Sequence, residues 1–247
     1  MPNCRDIDVK IDAFARRLDH AGLNLLTVLD KSTISALADG GTDEMSEWGA
    51  IILIGNSGAT MWQRMPDEYH EREHPVDEYA QDTTAAALRE LLPDTDWQVL
   101  FPAPVASVYC PPLQQLGALA GWHHSSPLGT GINNLFGLWF AYRVVIGVSP
   151  ELPSCGILDT RSPCLTCTNQ PCVQTCPATA LSYQRQPDMK SCATFRMQMQ
   201  SPCADTCLAR LACPIAADSK YHDEQIAHHY LRSVTGLESW LAVLADN

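Results

Sequence analysis

The sequence predicts an α+β protein in two parts, a sheet-and-helix domain over residues 1–150 and a small cysteine-rich domain over 151–220, with a helical tail over 221–247. Three observations carry this. Apolar residues alternate between helical spacing and short β-rich runs as far as about residue 150. Eight of the eleven cysteines fall between Cys164 and Cys213. Charge is divided too: residues 1–150 hold 19 acids and 9 bases, whereas residues 151–247 hold 9 and 7.

The elements follow in order. Ile7, Ile11, Phe14 and Leu18 recur at helical spacing and Gly22 marks a stop, which predicts a first helix. LNLLTVLD and AIILIG read as buried strands, with a short helix from Ser32 to Ala38 and Gly40-Gly41 between them. Asn56 and Ser57 are candidate caps for a helix from Ser57 to Met65, and a longer helix runs from Asp77 to Leu92, where Pro93 ends it. WQVLF is a third strand. The proline-rich turn FPAPVASVYCPP leads into a helix from Leu113 to Ala120, and the loop GWHHSSPLGTGINN follows. Residues 136–148, FGLWFAYRVVIGV, mix aromatic and β-branched residues and predict a central strand. At the end, Leu237, Trp240, Leu241 and Leu244 share one helix face, which predicts a docked terminal helix.

Composition narrows the function. With 247 residues, 46% hydrophobic and 18% charged, the chain can build real cores, and a net charge of −12 argues against a nucleic-acid partner. The first residues lack the basic and apolar regions of a secretion signal, so a cytoplasmic protein is expected. The longest apolar stretch, Leu135–Val148, contains Arg143 and falls short of the roughly 20 residues that cross a bilayer, so no membrane span is expected. In a reducing compartment, clustered cysteines point to metal rather than to disulfides.

The first cysteine block, Cys164, Cys167, Cys172 and Cys176, is spaced x2, x4 and x3 and ends in Cys176-Pro177. The second, Cys192, Cys203, Cys207 and Cys213, ends in Cys213-Pro214. Bacterial ferredoxins use C-x2-C-x2-C-x3-C-P, with the fourth cysteine given to the other cluster. By that exchange Cys164, Cys167 and Cys172 pair with Cys213, and Cys192, Cys203 and Cys207 with Cys176, as ligands of two 4Fe-4S clusters. Soft thiolates suit iron-sulfur cores. Two Cys4 zinc sites, or one cluster beside a degenerate second half, remain alternatives. Cys4 and Cys155 read as bystanders.

These blocks resemble the double-cluster module of epoxyqueuosine reductases and related corrinoid-linked iron-sulfur proteins, with Cys192 in DMKSCATFRMQ matching the isolated cysteine before the second block. Upstream, LQQLGALAGW, NNLFGLWFAYRVVIG and HPVDEYAQDTTAAAL are similar to segments of epoxyqueuosine reductases and cobalamin-trafficking chaperones. The resemblance covers about residues 50–215. It implies a modified nitroreductase-type first domain holding a corrinoid (cobalamin), and a ferredoxin-like second domain feeding it electrons.

The chain departs from the reductases in three places. ASVYCPPLQQL carries Tyr109 and Cys110 near the position of their catalytic acid; HHSSPLG replaces a glycine-lysine segment; and the helical-repeat tail of the reductases acting on transfer RNA has no counterpart after Cys213.

Outside the clusters, Tyr109 is the candidate catalytic proton donor, set against a simply packed tyrosine. Trp122 and His123 are candidate cofactor contacts, and of the adjacent pair His123 and His124 one at most is expected to act. IGNSG at 54–58 could cradle a phosphate, although an ordinary strand-to-helix turn explains it as well. The expected function is an iron-sulfur electron-transfer oxidoreductase passing electrons to a corrinoid. The alternatives are a ferredoxin-like carrier without a catalytic cofactor and a flavin-binding reductase fed by the clusters. A protein redox partner is expected, with a small-molecule substrate as a further option.

Overall fold

The computed structural model describes residues 9–37, 43–103, 109–158 and 160–245. They form two compact units, one drawn from Met1–His123 and Phe140–Thr160, the other from His124–Trp139 and Arg161–Asn247. The segment 124–139, which the sequence reading assigns to the N-terminal domain, therefore belongs with the cysteines.

In the first unit, helix α1 (Val9–His20) leads to strand β1 (Leu25–Asp30) and the short helices α2 (Lys31–Ser35) and α3 (Asp43–Ser46). Strand β2 (Ala50–Ser57), helices α4 (Thr60–Arg64), α5 (Asp67–His70) and α6 (Pro75–Leu91), strand β3 (Trp97–Phe101) and helix α7 (Leu113–Leu119) follow. The ribbon strands β4 (His124–Ser125) and β5 (Gly131–Ile132) belong to the second unit, and β6 (Phe140–Val148) to the first.

The main sheet is antiparallel throughout, in the order β1-β2-β6-β3, so the strand expected to be central is an interior one. Residues 50–56 of β2 are all buried, which explains the unbroken apolar run AIILI. Ile52 and Ile54 share one core with Val144, Ile146 and Val148, with Ile11, Phe14 and Leu18 of α1 and with Val76, Ala80 and Leu88 of α6. The i, i+3, i+7 spacing of α1 thus marks the stripe turned to the sheet. Pro75 occupies the first turn of α6, where its missing N–H costs nothing. After α7 the chain reverses at Gly121, whose φ is +71° and whose Cβ would stand 1.9 Å from the Leu158 carbonyl oxygen. The Thr160 hydroxyl donates to the Gly121 carbonyl at 2.8 Å and pins that turn.

Several expectations are corrected. Asn56 and Ser57 end β2 rather than capping a helix; α4 starts at Thr60, and its cap residue, Ala59, offers no side-chain bond. The Asn56 side chain is taken by Arg143, whose Nε donates to Oδ1 at 2.7 Å, while the Ser57 N–H donates to Asn24 Oδ1 at 2.7 Å. The last main strand begins at Phe140 instead of 136, because Asn133 and Gly137 exchange backbone hydrogen bonds in a turn just before it. The loop 121–134 contains the β4–β5 ribbon. Cys155, expected as a bystander, is disulfide-bonded and also pairs with Val28 beside β1. Cys4, Ile7 and Gly40-Gly41 lie outside the described residues.

The second unit continues with helices α8 (Pro171–Thr175), α9 (Met189–Arg196), α10 (Leu208–Leu211), α11 (Asp223–Arg232) and α12 (Val234–Ala245). Trp240 on α12 stays 39% exposed, so the docked face expected of the terminal helix is only partly realised. No helix among the described residues is long and apolar enough to cross a membrane.

Candidate functional site

The cysteines sit on short, tightly turned pieces of backbone. Cys164 lies in a 3-10 turn, Pro163–Thr166, with Cys167 directly after it. Gln170, in the left-handed region, then starts α8, which carries Cys172. Cys192 is on α9, capped by Asp188, whose carboxylate accepts from the Ser191 N–H at 2.9 Å. Cys207 caps α10, its sulfur accepting from the Arg210 N–H at 3.4 Å.

The two Cys-Pro endings share a local conformation. Thr179 lies three residues after Cys176 at φ 49°, and Ala216 three residues after Cys213 at φ 50°. A left-handed conformation costs a non-glycine residue roughly 1–2 kcal/mol, and both halves bear it at the same offset. Proline followed by this reversal turns the chain sharply away behind each of the two cysteines.

Tertiary folding brings the thiols into two groups. Cys164, Cys167, Cys172 and Cys213 line one small pocket of about 20 Å³, walled by Pro127, Pro163, Pro171 and Pro214 and by Ile132, Leu138 and Ile215. Cys176, the sequence neighbour of the first three, does not line it. Cys192 and Cys203 instead feel the charges of Cys176 and Cys207. These are the groups formed by exchanging the fourth cysteines.

Burial and then the neighbouring thiolates of Cys172, Cys213 and Cys167 push the Cys164 thiol up to about 11. Cys172 and Cys213 are raised in the same way, burial first, and in the second group so are Cys192 and Cys203. Four thiolates crowded in an apolar pocket repel one another, so a cationic core between them relieves the repulsion. Among the described residues no group of three or more His, Cys, Asp or Glu side chains gathers closely enough to hold a single metal ion. Zinc would draw its sulfurs to about 2.3 Å from one point. Four thiolates are a donor set that suits either a zinc ion or an iron-sulfur core.

The remaining candidates lie apart from the cysteines in character. Tyr109 is half-buried, and burial, then the charges of Glu44 and Cys110, push its phenol up to about 12, so it is a weaker acid than a free tyrosine. Cys110 is exposed. Trp122 is 1% exposed and stacks on Tyr142, with centroids 6.2 Å apart, in the interior of the first unit. His123 Nδ1 lies 3.0 Å from the Tyr142 hydroxyl, which orients its ring. His124 belongs to the second unit, where it lines an open groove with Cys164, Tyr183 and Arg185. The Tyr183 hydroxyl donates to the Cys164 carbonyl.

Three side chains at the second group were not picked out from the sequence: Arg196, Arg210 and Tyr230. The available signal was spacing, since Arg196 follows Cys192 by four residues and a helix places such pairs on one face.

No family of known proteins is matched by the sequence, and no curated protein matches it. Solved structures do match. An epoxyqueuosine reductase from Bacillus subtilis superposes with a TM-score of 0.52 at 12% identity, covering 87% of this chain and 68% of that one. A selenomethionine-labelled epoxyqueuosine reductase gives 0.53 at 12%, covering 86% and 68%. A catabolic reductive dehalogenase gives 0.52 at 12%, covering 98% of this chain and 38% of the dehalogenase. At such identities the likeness is one of fold, and this chain has an epoxyqueuosine-reductase-like fold.

Proposed function

We propose that this protein is an iron-sulfur oxidoreductase that carries two 4Fe-4S clusters and passes single electrons to a corrinoid in its N-terminal unit. The observation that carries the cluster part is the convergence of Cys164, Cys167, Cys172 and Cys213 on one pocket. Cys176, Cys192, Cys203 and Cys207 form the second ligand set. Such clusters supply one-electron chemistry when bound, at potentials set by hydrogen bonds to sulfur, nearby charge and exposure. The chain's own part is mechanical and electrostatic. Prolines and aliphatic side chains flank the half-buried first thiols, Tyr183 ties the Cys164 backbone in place, and the paired turns follow Cys176 and Cys213.

The corrinoid part is supported by the fold shared with epoxyqueuosine reductases and a reductive dehalogenase. Tyr109 would hold a proton there and His123 would orient the cofactor. A protein electron donor suits these thiols, the disulfide at Cys155 weighs against a uniformly reducing setting, and the acidic first half disfavours a transfer-RNA substrate. A ferredoxin-like carrier is the second reading. It is favoured by the burial of Trp122, which commits that candidate contact to the interior, and by the bond of His123 to Tyr142, which engages the other.

Anaerobic purification with iron and sulfide analysis tests the clusters: the protein is expected to be brown, with two four-iron centres. Colourless protein with stoichiometric zinc overturns the assignment. Cobalamin added at micromolar concentration is expected to bind and to change its spectrum on reduction; if it does not bind, the carrier reading replaces the corrinoid one.

A further inference from the structure

The two cysteine groups differ in the charge that surrounds them. Around Cys164, Cys172 and Cys213 the thiols act chiefly on one another, with Arg185 in the open groove that Cys164 also lines. Around Cys192 and Cys203 a guanidinium joins the thiols, that of Arg196, while Arg210 reaches Cys207 of the same group through Tyr230. Arg196 closes α9 one turn after Cys192, and its Nε donates to the Cys203 carbonyl at 3.2 Å. A terminal nitrogen donates to the Tyr230 carbonyl at 2.9 Å, to Ser233 Oγ at 3.1 Å and to the Ala204 carbonyl at 3.5 Å. The guanidinium carbon also stands 4.8 Å from the centre of the Tyr230 ring.

Every one of these partners is neutral. The group is half-buried, and Asp205, the carboxylate in the Cys203–Cys207 loop, is exposed, where water screens it. A cation held in this way lowers the energy of whichever state of its neighbour is more negative, and for an iron-sulfur centre that is the reduced state.

We infer that Arg196 is a positioning residue that clamps the Cys203 loop onto the end of α11 and selectively raises the reduction potential of the centre held by Cys176, Cys192, Cys203 and Cys207. The inference rests on the two-cluster reading proposed above. With both centres loaded, the Arg196 cation would bias a one-electron exchange between them toward the second: the first would lose one electron, the second would gain it, and no bond or proton would move.

The test is a dithionite titration of the full-length protein, followed by EPR, with iron counted in each variant. Two four-iron centres in the wild type are the condition set by the two-cluster reading, and their absence removes that reading rather than the role of Arg196. Arg196→Gln is expected to lower the reduced-to-oxidised ratio of the second centre about tenfold at fixed poise, which is about 59 mV for one electron, and to leave the first centre unmoved. Arg196→Lys keeps the charge and is expected to restore most of the shift. Should Arg196→Gln fail to load its second centre, Ser233→Asp places a carboxylate against the guanidinium without touching the cysteine loop, and it is expected to lower the same midpoint. The inference is overturned if fully loaded Arg196→Gln or Ser233→Asp leaves the second midpoint in place, if both midpoints fall equally, or if lysine rescues no better than glutamine.

Discussion

Replacing Gly137 by alanine tests the tie between the 124–139 segment and the first cysteine group. Gly137 has a φ of +60°, donates to the Asn133 carbonyl at 2.7 Å and accepts from the Asn133 N–H at 3.0 Å. A Cβ at this position would lie 2.4 Å from the Ile215 carbonyl oxygen and 3.2 Å from its carbon. Ordinary contact begins at 3.4 Å, so the Ile215 backbone must retreat by about 1 Å. Ile215 is two residues from Cys213, and Ala216 behind it already bears a left-handed conformation, so the turn has little slack. A metal ligand tolerates displacements of only about 0.2 Å, and alanine in the left-handed region adds roughly 1–2 kcal/mol.

Gly137→Ala is therefore expected to lose the first centre and keep the second, with about half the iron and one of the two EPR signals remaining. Gly236→Ala is the control. Nothing lies within 4 Å of its added Cβ, and alanine favours a helix by about 0.5–1 kcal/mol over glycine, so iron content stays at the wild-type value. Full iron and both signals in Gly137→Ala would refute the reasoning.

Cys176→Ser and Cys213→Ser are expected to remove different centres, the second and the first respectively, when compared by EPR; loss of the same centre in both contradicts the exchange. Arg143→Met is expected to cost about 1–3 kcal/mol, because Asn56 Oδ1, buried in β2, loses its 2.7 Å donor. Urea melts of a double-mutant cycle with Asn56→Leu should show coupling, and strict additivity rejects the assignment. Asp30 is held well below the usual carboxylate range by the Ser32 hydroxyl, the Thr33 N–H and the Ser154 hydroxyl, in that order. A carboxylate depressed on folding stabilises the fold above its unfolded pKa of about 3.9, and that contribution fades as pH falls toward the folded value. Ser154→Ala should thus destabilise the protein by about 1 kcal/mol at pH 7, a difference that persists until pH falls toward the depressed folded pKa of the Asp30 carboxyl. An equal loss from Ser154→Ala in an Asp30→Asn background would reject this account.

Most elements of the first unit were legible because their signals are local. The stripe Ile11, Phe14 and Leu18 turns to the sheet as its spacing predicts, and the uninterrupted run in β2 is the mark of a strand with nearly every residue buried. The errors arose where a distant partner outbid a local preference. Asn56 has a good capping side chain, yet Arg143, 87 residues away, takes its oxygen. Phe136 and Trp139 have strand-like composition, but the Asn133–Gly137 turn keeps them out of β6. Trp122, a candidate contact by its place after Gly121, is enclosed by Gly55 and Tyr142.

By itself, the sequence determined which residue types can hold iron, their division into two Cys-Pro halves, and the α+β character of the N-terminal part. These depend on covalent spacing and on periodicity, which act over a few residues. Only the tertiary structure decided that Cys213 closes a cavity with cysteines 41 to 49 positions before it, that segment 124–139 packs with them, and that Arg196 stands at one group and not the other. Cavities and electrostatic asymmetry arise from contacts between residues far apart in the chain, and such contacts exist only once the backbone has closed.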